Sequence, residues 1–240
     1  MNLILDFGNT RIKAATFKEG EILSLKTYTN ASELQSEIHL FDQIQFIIIS
    51  SVTQAHLPFL ELFKSKSPLL FTSQTKIPLF NSYQSISTLG SDRIAASIGA
   101  FTFFPNQNVL TIDAGTCIKY NFVNAQNNFI GGAISPGIEM RLKAMNHFTS
   151  ALPLIPIDYN YDKLTGTNTN ESLLSGALIG AVSEVECIIQ RYLNSYEKVQ
   201  IVLCGGDSDY LGKQLKNRFF VNPNLVLYGL NKVLNFNIEK

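Results

Sequence analysis

The residues best suited to chemistry lie in two short stretches that repeat one pattern. The first, "LILDFGNTRIKAATF", occupies residues 3–17, and the second, "LTIDAGTCIKYNFV", occupies residues 110–123. In each, an apolar run ends in an aspartate, a small turn with glycine and threonine follows, and an apolar strand resumes. The matching residues are Asp6 with Asp113 and Gly8 with Gly115, with Lys13 and Lys119 close behind.

Both turns carry the groups that a polyphosphate with Mg²⁺ requires. A carboxylate at a strand end, followed by glycine and threonine, gathers backbone N–H groups, a hydroxyl and a metal-attracting oxygen in one small concavity. Two such turns that face each other could bind the phosphates from both sides. Because Asp, Gly, Asn and Thr are also ordinary turn residues, either copy alone could be turn chemistry. Two copies, each between apolar strands, favour the phosphate interpretation.

Other phosphate motifs fail on inspection. The stretch 206–214, "GDSDYLGKQ", has five residues between Gly206 and Gly212, and Gln214 stands where a P-loop has Ser or Thr. The stretch 203–207, "LCGGD", instead places two glycines at a strand end, where bare backbone could approach an adenosine. A Gly-Gly pair alone is weak evidence, because it commonly only makes a turn.

Composition narrows the function classes. The chain has 240 residues, is 45% apolar, and carries 19 basic against 19 acidic residues, so no net field attracts nucleic acid or an anionic membrane. No basic leader precedes the first strand, and no apolar run approaches the ~18 residues that span a bilayer, so we expect a cytoplasmic protein. The few cysteines and histidines are widely spaced and favour neither disulfides nor a metal cluster: Cys117, Cys187, Cys204, His39, His56 and His147.

The repeat predicts two related α/β halves, each opening with a β-hairpin. In the first half, "FIIISSV" (46–52) is typical of a strand covered on both faces. The stretch 91–104, "SDRIAASIGAFTFF", has helical spacing, with Ser91 or Asp92 suited to its first positions. The boundary falls in the short turn 105–109.

Three elements are predicted in the second half. "SPGIEMRLKAM" predicts a helix capped by Ser135, with Pro136 in its first turn. The longest helix covers 170–193, with Asn168 and Glu171 as a capping box. "VQIVLCGGDSDYL" predicts a buried strand, a Gly-Gly turn and a further helix.

The motifs together resemble a known family. "DFGNT", "GSDR" (90–93), "DAGT", "GGAISPG" (131–137), "NTNESLLSG" (168–176), "CGGD" and "NLVLYGLNKVLNFN" occur in the order of the type III pantothenate kinases, a branch of the acetate kinase, sugar kinase, heat-shock 70 and actin superfamily. The resemblance implies duplicated ribonuclease-H-like (actin-like ATPase) domains, here 1–107 and 108–240. Each would be a mixed five-stranded sheet with flanking helices.

The resemblance also implies an activity. Such an enzyme transfers the ATP γ-phosphate to pantothenate, the first step of coenzyme A biosynthesis. It is a cytoplasmic homodimer that needs Mg²⁺ and a monovalent cation, K⁺ or NH₄⁺, and it has no nucleic-acid or membrane partner.

Site residues follow from the resemblance position by position. Asp92 would be the catalytic proton acceptor. Asp6 would hold Mg²⁺, directly or through water, and Asp113 would hold K⁺. Pantothenate would contact Tyr83, Gly90, Ser91, Asp92, Arg93 and Thr169. ATP would contact Asp6, Phe7, Gly8, Asn9, Thr10, Arg11, Ile12, Lys13, Thr116, Gly205 and Gly206.

The pattern has two departures and leaves alternatives open. Cys204 replaces a usual Thr before Gly-Gly, and Lys119 stands where a Thr often follows the second turn. Arg93 could make a surface ion pair or pack its stem, Tyr83 could be a core aromatic, and Thr169 could only start a helix. The whole chain could also be a non-catalytic nucleotide- or pantothenate-binding regulator, or another small-molecule kinase.

The helix from Asn170 gives the sequence argument for a dimer. Gly176 and Gly180 lie four residues apart on it, and small residues on one face let another helix approach closely. The helix is also apolar around more of its circumference than one core-facing stripe needs. We therefore expect an isologous homodimer with Thr169 close to the substrate across the interface.

Overall fold

The computed structural model describes residues 1–238. Its chain divides into two compact units: unit 1 contains 1–105, 127–130 and 224–240, of which 239 and 240 are outside the described residues, and unit 2 contains 106–126 and 131–223. The strands are β1 (Asn2–Phe7), β2 (Ile12–Lys18), β3 (Glu21–Tyr28), β4 (Phe46–Ser51), β5 (Leu69–Leu70), β6 (Phe80–Asn81), β7 (Asn108–Ala114), β8 (Cys117–Val123), β9 (Asn128–Pro136), β10 (Val199–Cys204) and β11 (Phe220–Val221). The helices are α1 (Ala31–Ser36), α2 (Leu57–Leu62), α3 (Ser91–Phe103), α4 (Ile138–His147), α5 (Thr169–Ser195), α6 (Ser208–Gln214) and α7 (Leu225–Ile238), with short 3-10 helices at Ile38–Phe41, Lys64–Lys66 and Ile86–Thr88.

The sheet of unit 1 has the strand order β3-β2-β1-β4-β5. β1 pairs antiparallel with β2 and parallel with β4, so the predicted hairpin opens the unit. β4 contains the predicted apolar run, and Ile47, Ile48 and Ile49 are all buried, as expected of a strand covered on both faces.

The sheet of unit 2 repeats this order. Its strands run β11-β10-β7-β8-β9, with β7 antiparallel to β8 and parallel to β10, and β6 adds a sixth strand beside β9 where five strands were expected. Position by position, β7, β8, β9, β10 and β11 correspond to β1, β2, β3, β4 and β5. The first residues of β9, Asn128 and Phe129, belong to unit 1 and pair with β6. The predicted duplicated ribonuclease-H-like architecture is confirmed.

The last helix, α7, belongs to unit 1 by its contacts. The backbones of α7 and α3 approach closely at two glycines: a Cβ at Gly229 would lie 1.8 Å from the carbonyl oxygen of Ala95, and one at Gly99 would lie 2.2 Å from that of Leu225. The compact units therefore depart from the predicted halves 1–107 and 108–240 at this helix and at residues 127–130.

The core of unit 2 lies between its sheet and α5. Leu178, Ala181, Val185 and Ile189 of α5 are buried in one cluster with residues of β7, β8 and β10. The sequence did not lead us to expect a membrane-length helix, but α5 is long and apolar enough to cross a membrane by length and composition alone. In its most apolar stretch 33% of the residues are buried.

The predicted start of α4 is wrong. Ser135 and Pro136 end β9, and the helix starts at Ile138 after Gly137, with no side-chain cap. The strand continues because the Ser135 hydroxyl donates to Glu184 Oε1 (2.5 Å) instead of capping the helix. Gly137 then makes the sharp exit, where a Cβ would lie 2.0 Å from the carbonyl oxygen of Gly115.

Candidate active site

The first turn joins β1 to β2 and is anchored at both ends. Phe7 and Ile12 are 0% and 5% exposed, so their side chains pack in the core of unit 1 and only their backbones could contact a nucleotide. The N–H of Gly8 donates to the carbonyl of Arg11 (3.1 Å) and closes the turn. Asn9, Thr10 and Arg11 are exposed. A turn with a fixed base and an open tip can offer N–H groups and a hydroxyl to an anion.

A carboxylate and a lysine face each other at the base of this turn. Asp6 on β1 lies directly opposite Lys13 on β2 in the antiparallel ladder, and both are half-buried. Side chains of such a pair share one face of the sheet. Lys13 Nζ also donates to Asn224 Oδ1 (3.4 Å).

The second turn repeats the first in unit 2. The N–H of Gly115 donates to the carbonyl of Cys117 (3.0 Å), and Thr116 at the tip is exposed. The carbonyl of Thr116 accepts from the N–H of Gly137 (3.2 Å), so the start of α4 fixes this turn.

The carboxylate and lysine pair is repeated as well. Asp113 lies opposite Lys119 in the ladder between β7 and β8, the position that Asp6 and Lys13 occupy in unit 1. Lys119 Nζ is 2.6 Å from Asp113 Oδ2, and the two side chains are only 19% and 11% exposed. On its other side Asp113 is in register with Cys204 of β10.

The Gly-Gly turn packs against the end of β7. Gly205 has φ +89°, which favours glycine, and a Cβ there would lie 2.2 Å from the carbonyl oxygen of Ala114. Gly206 is exposed, and the space beside its Cα is open, as a contact surface for a flat base requires.

Asp207 follows the Gly-Gly turn. Burial raises the pKa of its carboxyl, although Tyr159 Oη donates a hydrogen bond to it (2.6 Å).

The GSDR motif forms the start of α3. The helix begins at Ser91 after Gly90, as predicted, and Asp92 Oδ1 accepts from the backbone N–H of Arg93 (2.9 Å). A Cβ at Gly90 would lie 2.6 Å from this oxygen, so any other residue there would displace the carboxylate from this position. Asp92 therefore sits in the first turn of α3, near the positive end of the helix dipole.

Tyr83 and Arg93 lie together in unit 1. The guanidinium carbon of Arg93 is 5.4 Å from the centroid of the Tyr83 ring, a cation–π arrangement, and Arg93 is only 4% exposed. Tyr83 also packs against Phe129. A small solvent-open pocket adjoins the motif, and its lining includes Phe71, Thr72, Asn81, Leu89, Ser91 and Ile94.

Thr169 is the exposed first residue of α5 in unit 2. The helix is capped by its neighbour, since Asn168 Oδ1 accepts from the N–H of Glu171 (3.0 Å). Half of the predicted capping box is thus present. The Glu171 carboxylate instead accepts from the N–H of Thr167 (2.8 Å), one residue earlier than the predicted box requires.

The sequence reasoning missed Glu184, which joins four elements of unit 2. Its carboxylate on α5 accepts hydrogen bonds from Tyr120 of β8 (2.8 Å), from Ser135 of β9 and from Arg141 of α4. Burial acts to raise the pKa of Glu184, but the bonds from Ser135, Arg141 and Tyr120 outweigh it and the pKa is lowered. An acid in the middle of an apolar helix was the available signal.

The comparisons with known proteins agree with one another. The model of the type III pantothenate kinase family matches residues 2–191. The type III pantothenate kinase of Cytophaga hutchinsonii is 38% identical over 99% of this chain and 100% of its own, and that of Christiangramia forsetii is 40% identical over 99% of both. A solved structure from Campylobacter jejuni, assigned to the Baf family of transcriptional activators, has a TM-score of 0.63 at 19% identity, over 99% of this chain and 100% of its own. That likeness shows a shared fold alone.

Proposed function

Because the chain belongs to the type III pantothenate kinase family, it transfers the γ-phosphate of ATP to pantothenate in coenzyme A biosynthesis, and we propose which residues carry each part of this reaction. The observation that carries the assignment is the repeated turn. In both units the penultimate residue of a buried strand is an aspartate that lies opposite a lysine, and the turn that follows carries an exposed threonine.

The first turn, from Asp6 to Lys13, holds the ATP phosphates. Asn9, Thr10 and Arg11 offer exposed donors, and Lys13 adds positive charge. Mg²⁺ fits at Asp6, because this ion is usually held by one or two carboxylates together with phosphates and waters. Among residues 1–238 there is no group of three or more His, Cys, Asp or Glu ligands, so a cage made by protein alone is not available for it. Bound there, Mg²⁺ would neutralise charge on the phosphates.

Unit 2 supplies further nucleotide contacts. Thr116 is an exposed hydroxyl donor at a turn that is fixed by the start of α4, which suits a second phosphate contact. Gly205 and Gly206 would lie against the adenosine. Cys204, directly before this turn, is buried, so its side chain forms no part of the exposed glycine surface.

The monovalent cation expected at Asp113 fits poorly. Lys119 Nζ lies 2.6 Å from Asp113 Oδ2, so a cationic group already occupies this side of the carboxylate. We therefore assign no step of the reaction to a diffusible K⁺ or NH₄⁺ ion at Asp113.

Pantothenate binds at the start of α3. Gly90, Ser91 and Arg93 would contact it, the Tyr83 ring and the Arg93 guanidinium would hold each other in place, and Asp92 would accept the proton of the attacking hydroxyl. Phosphoryl transfer passes through a loose transition state, so the hydroxyl needs orientation more than early deprotonation. A carboxylate fixed in the first turn of a helix, where its Oδ1 accepts from the N–H of Arg93, is suited to that task.

The enzyme is proposed to be a cytoplasmic homodimer with no nucleic-acid or membrane partner. Gly176 and Gly180 of α5 both face open space, and only a third of the most apolar stretch of this helix is buried. A second copy packed on α5 would cover this surface and bring Thr169 near the substrate. The balance of 19 basic and 19 acidic residues favours neither DNA nor an anionic surface.

Substrate identity is tested by turnover. Purified protein is supplied with ATP and Mg²⁺ and with pantothenate or a panel of sugars and small acids, and ADP release is followed. We expect ADP release when pantothenate is supplied and none with the sugars or the small acids. Comparable turnover of a sugar would support another kinase of the fold, and binding without turnover would support a regulator.

A further inference from the structure

The ion pair between Lys119 and Asp113 is part of the second turn, not a contact of mobile surface groups. The two residues are direct cross-strand partners on β7 and β8, so the ladder sets their Cβ atoms close together on one face. Ile118 and Tyr120, on either side of Lys119, are 1% and 0% exposed and hold β8 in register. The hairpin itself therefore delivers the ammonium to the carboxylate.

The surroundings of Asp113 leave its two oxygens in different places. A Cβ at Gly205 would lie 2.6 Å from Oδ1, so this oxygen lies against the bare backbone of the Gly-Gly turn. The other oxygen, Oδ2, forms the ion pair with the Lys119 ammonium. A diffusible cation at this carboxylate would have to displace a tethered ammonium or set a second positive charge beside it in a poorly solvated position, which is unfavourable.

The charge requirement of the turn is already met by the chain. An alkylammonium is a univalent cation, as K⁺ and NH₄⁺ are, and it donates hydrogen bonds as NH₄⁺ does. Because it is tethered, it does not have to be recruited from solution.

We infer that the Lys119 ammonium replaces the diffusible monovalent cation at Asp113, so this kinase turns over without K⁺ or NH₄⁺. The inference rests on the proposed kinase activity and concerns only what neutralises Asp113. Lys119 acts here as a positioning residue: it holds the Asp113 carboxylate and, through it, the β7 end of the second turn.

The test compares cations at constant ionic strength. Initial rates are measured with Mg²⁺ and the Tris salt of ATP in choline chloride, NaCl, KCl and NH₄Cl, for the wild type, Lys119→Met, Lys119→Arg and the control Lys143→Met. Lys143 pairs with Glu139 at the surface of α4, so it offers a lysine ion pair of the same unit away from the turn. We expect wild-type, Lys119→Arg and Lys143→Met rates to vary by less than about two-fold among salts, below 1 kcal/mol. Lys119→Met should lose at least about tenfold in choline and recover in K⁺ or NH₄⁺.

A second readout does not need turnover. The thermal unfolding midpoint and the affinity for a non-hydrolysable ATP analogue are measured in choline and in KCl. For the wild type, we expect K⁺ to change neither the unfolding midpoint nor the affinity for the analogue. For Lys119→Met, we expect K⁺ to raise the midpoint and to strengthen the binding.

Three results would overturn the inference. The first is that the wild type is active in K⁺ and inactive in choline. The second is that Lys119→Met is as active in choline as the wild type. The third is that Lys119→Met folds but no cation restores its activity. If Lys119→Met does not fold, the wild-type salt series decides alone. Failure of the kinase proposal looks different, because then no variant would turn over pantothenate in any salt.

Discussion

Tyr83 and Arg93 show how one side chain orders another at the proposed pantothenate site. The guanidinium lies over the ring and is almost fully buried. A desolvated cation–π contact is worth about 2 kcal/mol, enough to hold the Arg93 fork in one orientation. A fork with fixed geometry can present two donors to a carboxylate or amide of the substrate, which a lysine cannot do.

The acids of the candidate site could be found from the sequence, but their partners could not. Asp6, Asp92 and Asp113 follow from strand ends and a helix start, which are local patterns. The pairing of Asp113 with Lys119 depends on the register of β7 and β8, which a hairpin pattern suggests without fixing. Glu184 was missed because its partners come from β8, β9 and α4, elements far apart in the sequence.

Glu184 predicts an acid-dependent stability. Its pKa is lowered from 4.5 in the folded protein, so its stabilisation is present above the unfolded pKa and is lost as pH falls through the lower folded value. Glu184→Gln should lower the free energy of unfolding by about 1 to 3 kcal/mol at pH 7.

Urea unfolding of the wild type and of Glu184→Gln from pH 7 down to pH 3 measures this effect. The difference between the two proteins should stay constant to about pH 5 and shrink below it. Glu186→Gln on the same helix is the control. A difference that persists unchanged at pH 3 would show that the ionised carboxylate is not what stabilises this junction.

At the level of elements, the joint between β9 and α4 determines where the second turn lies. Gly137 approaches the carbonyl oxygens of both Gly115 and Thr116, so the helix start and the turn share one backbone contact. The sequence predicted a helix start at Ser135 because Ser followed by Pro is a common helix start. The Ser135 hydroxyl is drawn to Glu184 instead, a tertiary contact that outweighs the local preference.

Gly137→Ala tests this joint. A Cβ would meet the Gly115 carbonyl oxygen at 2.0 Å, so the turn must shift. We expect a loss of about 1 to 3 kcal/mol in stability, and a rise of about tenfold in KM for ATP, about 1.4 kcal/mol. KM for pantothenate should change less.

Gly212→Ala in α6 is the matched control, because the nearest side-chain atom would be 3.4 Å away. Its stability should stay within about 0.5 kcal/mol of the wild type. A destabilised Gly137→Ala with unchanged KM for ATP would remove the second turn from nucleotide binding.

At the scale of the whole molecule, the duplication could be predicted from the sequence, but the packing of α7 in unit 1 could not. Two hairpins with the same acid and turn residues predicted two sheets, and their strand orders correspond. α7 follows β11 in the chain yet packs on α3 of unit 1 through Gly99 and Gly229. Glycine contacts between distant helices leave no local pattern to recognise.

The proposed dimer is tested on α5. A Cβ added at Gly176 or Gly180 would have no heavy atom within 4 Å, and leucine is a better helix former than glycine, so we expect neither change to destabilise the subunit. If a second copy packs on this face, Gly176→Leu with Gly180→Leu should yield a folded monomer with a raised KM for pantothenate.

Light scattering and steady-state kinetics at micromolar concentration measure both effects. Lys213→Leu, at an exposed position of α6, adds comparable apolar surface elsewhere and should leave the dimer intact. A wild-type monomer with full activity, or a double variant that still dimerises, would contradict this interface.

The most direct test of the account is the amount of phosphorylated pantothenate that the wild type and Asp92→Asn form from ATP and Mg²⁺ under the same conditions, measured by mass spectrometry. The wild type should form it, and Asp92→Asn should form it about two to four decades more slowly, with unchanged fold and ATP affinity. Glu33→Gln, another acid in a first helical turn, should match the wild type. Equal rates for Asp92→Asn and the wild type would remove Asp92 from the mechanism, and no product from the wild type would contradict the kinase assignment itself.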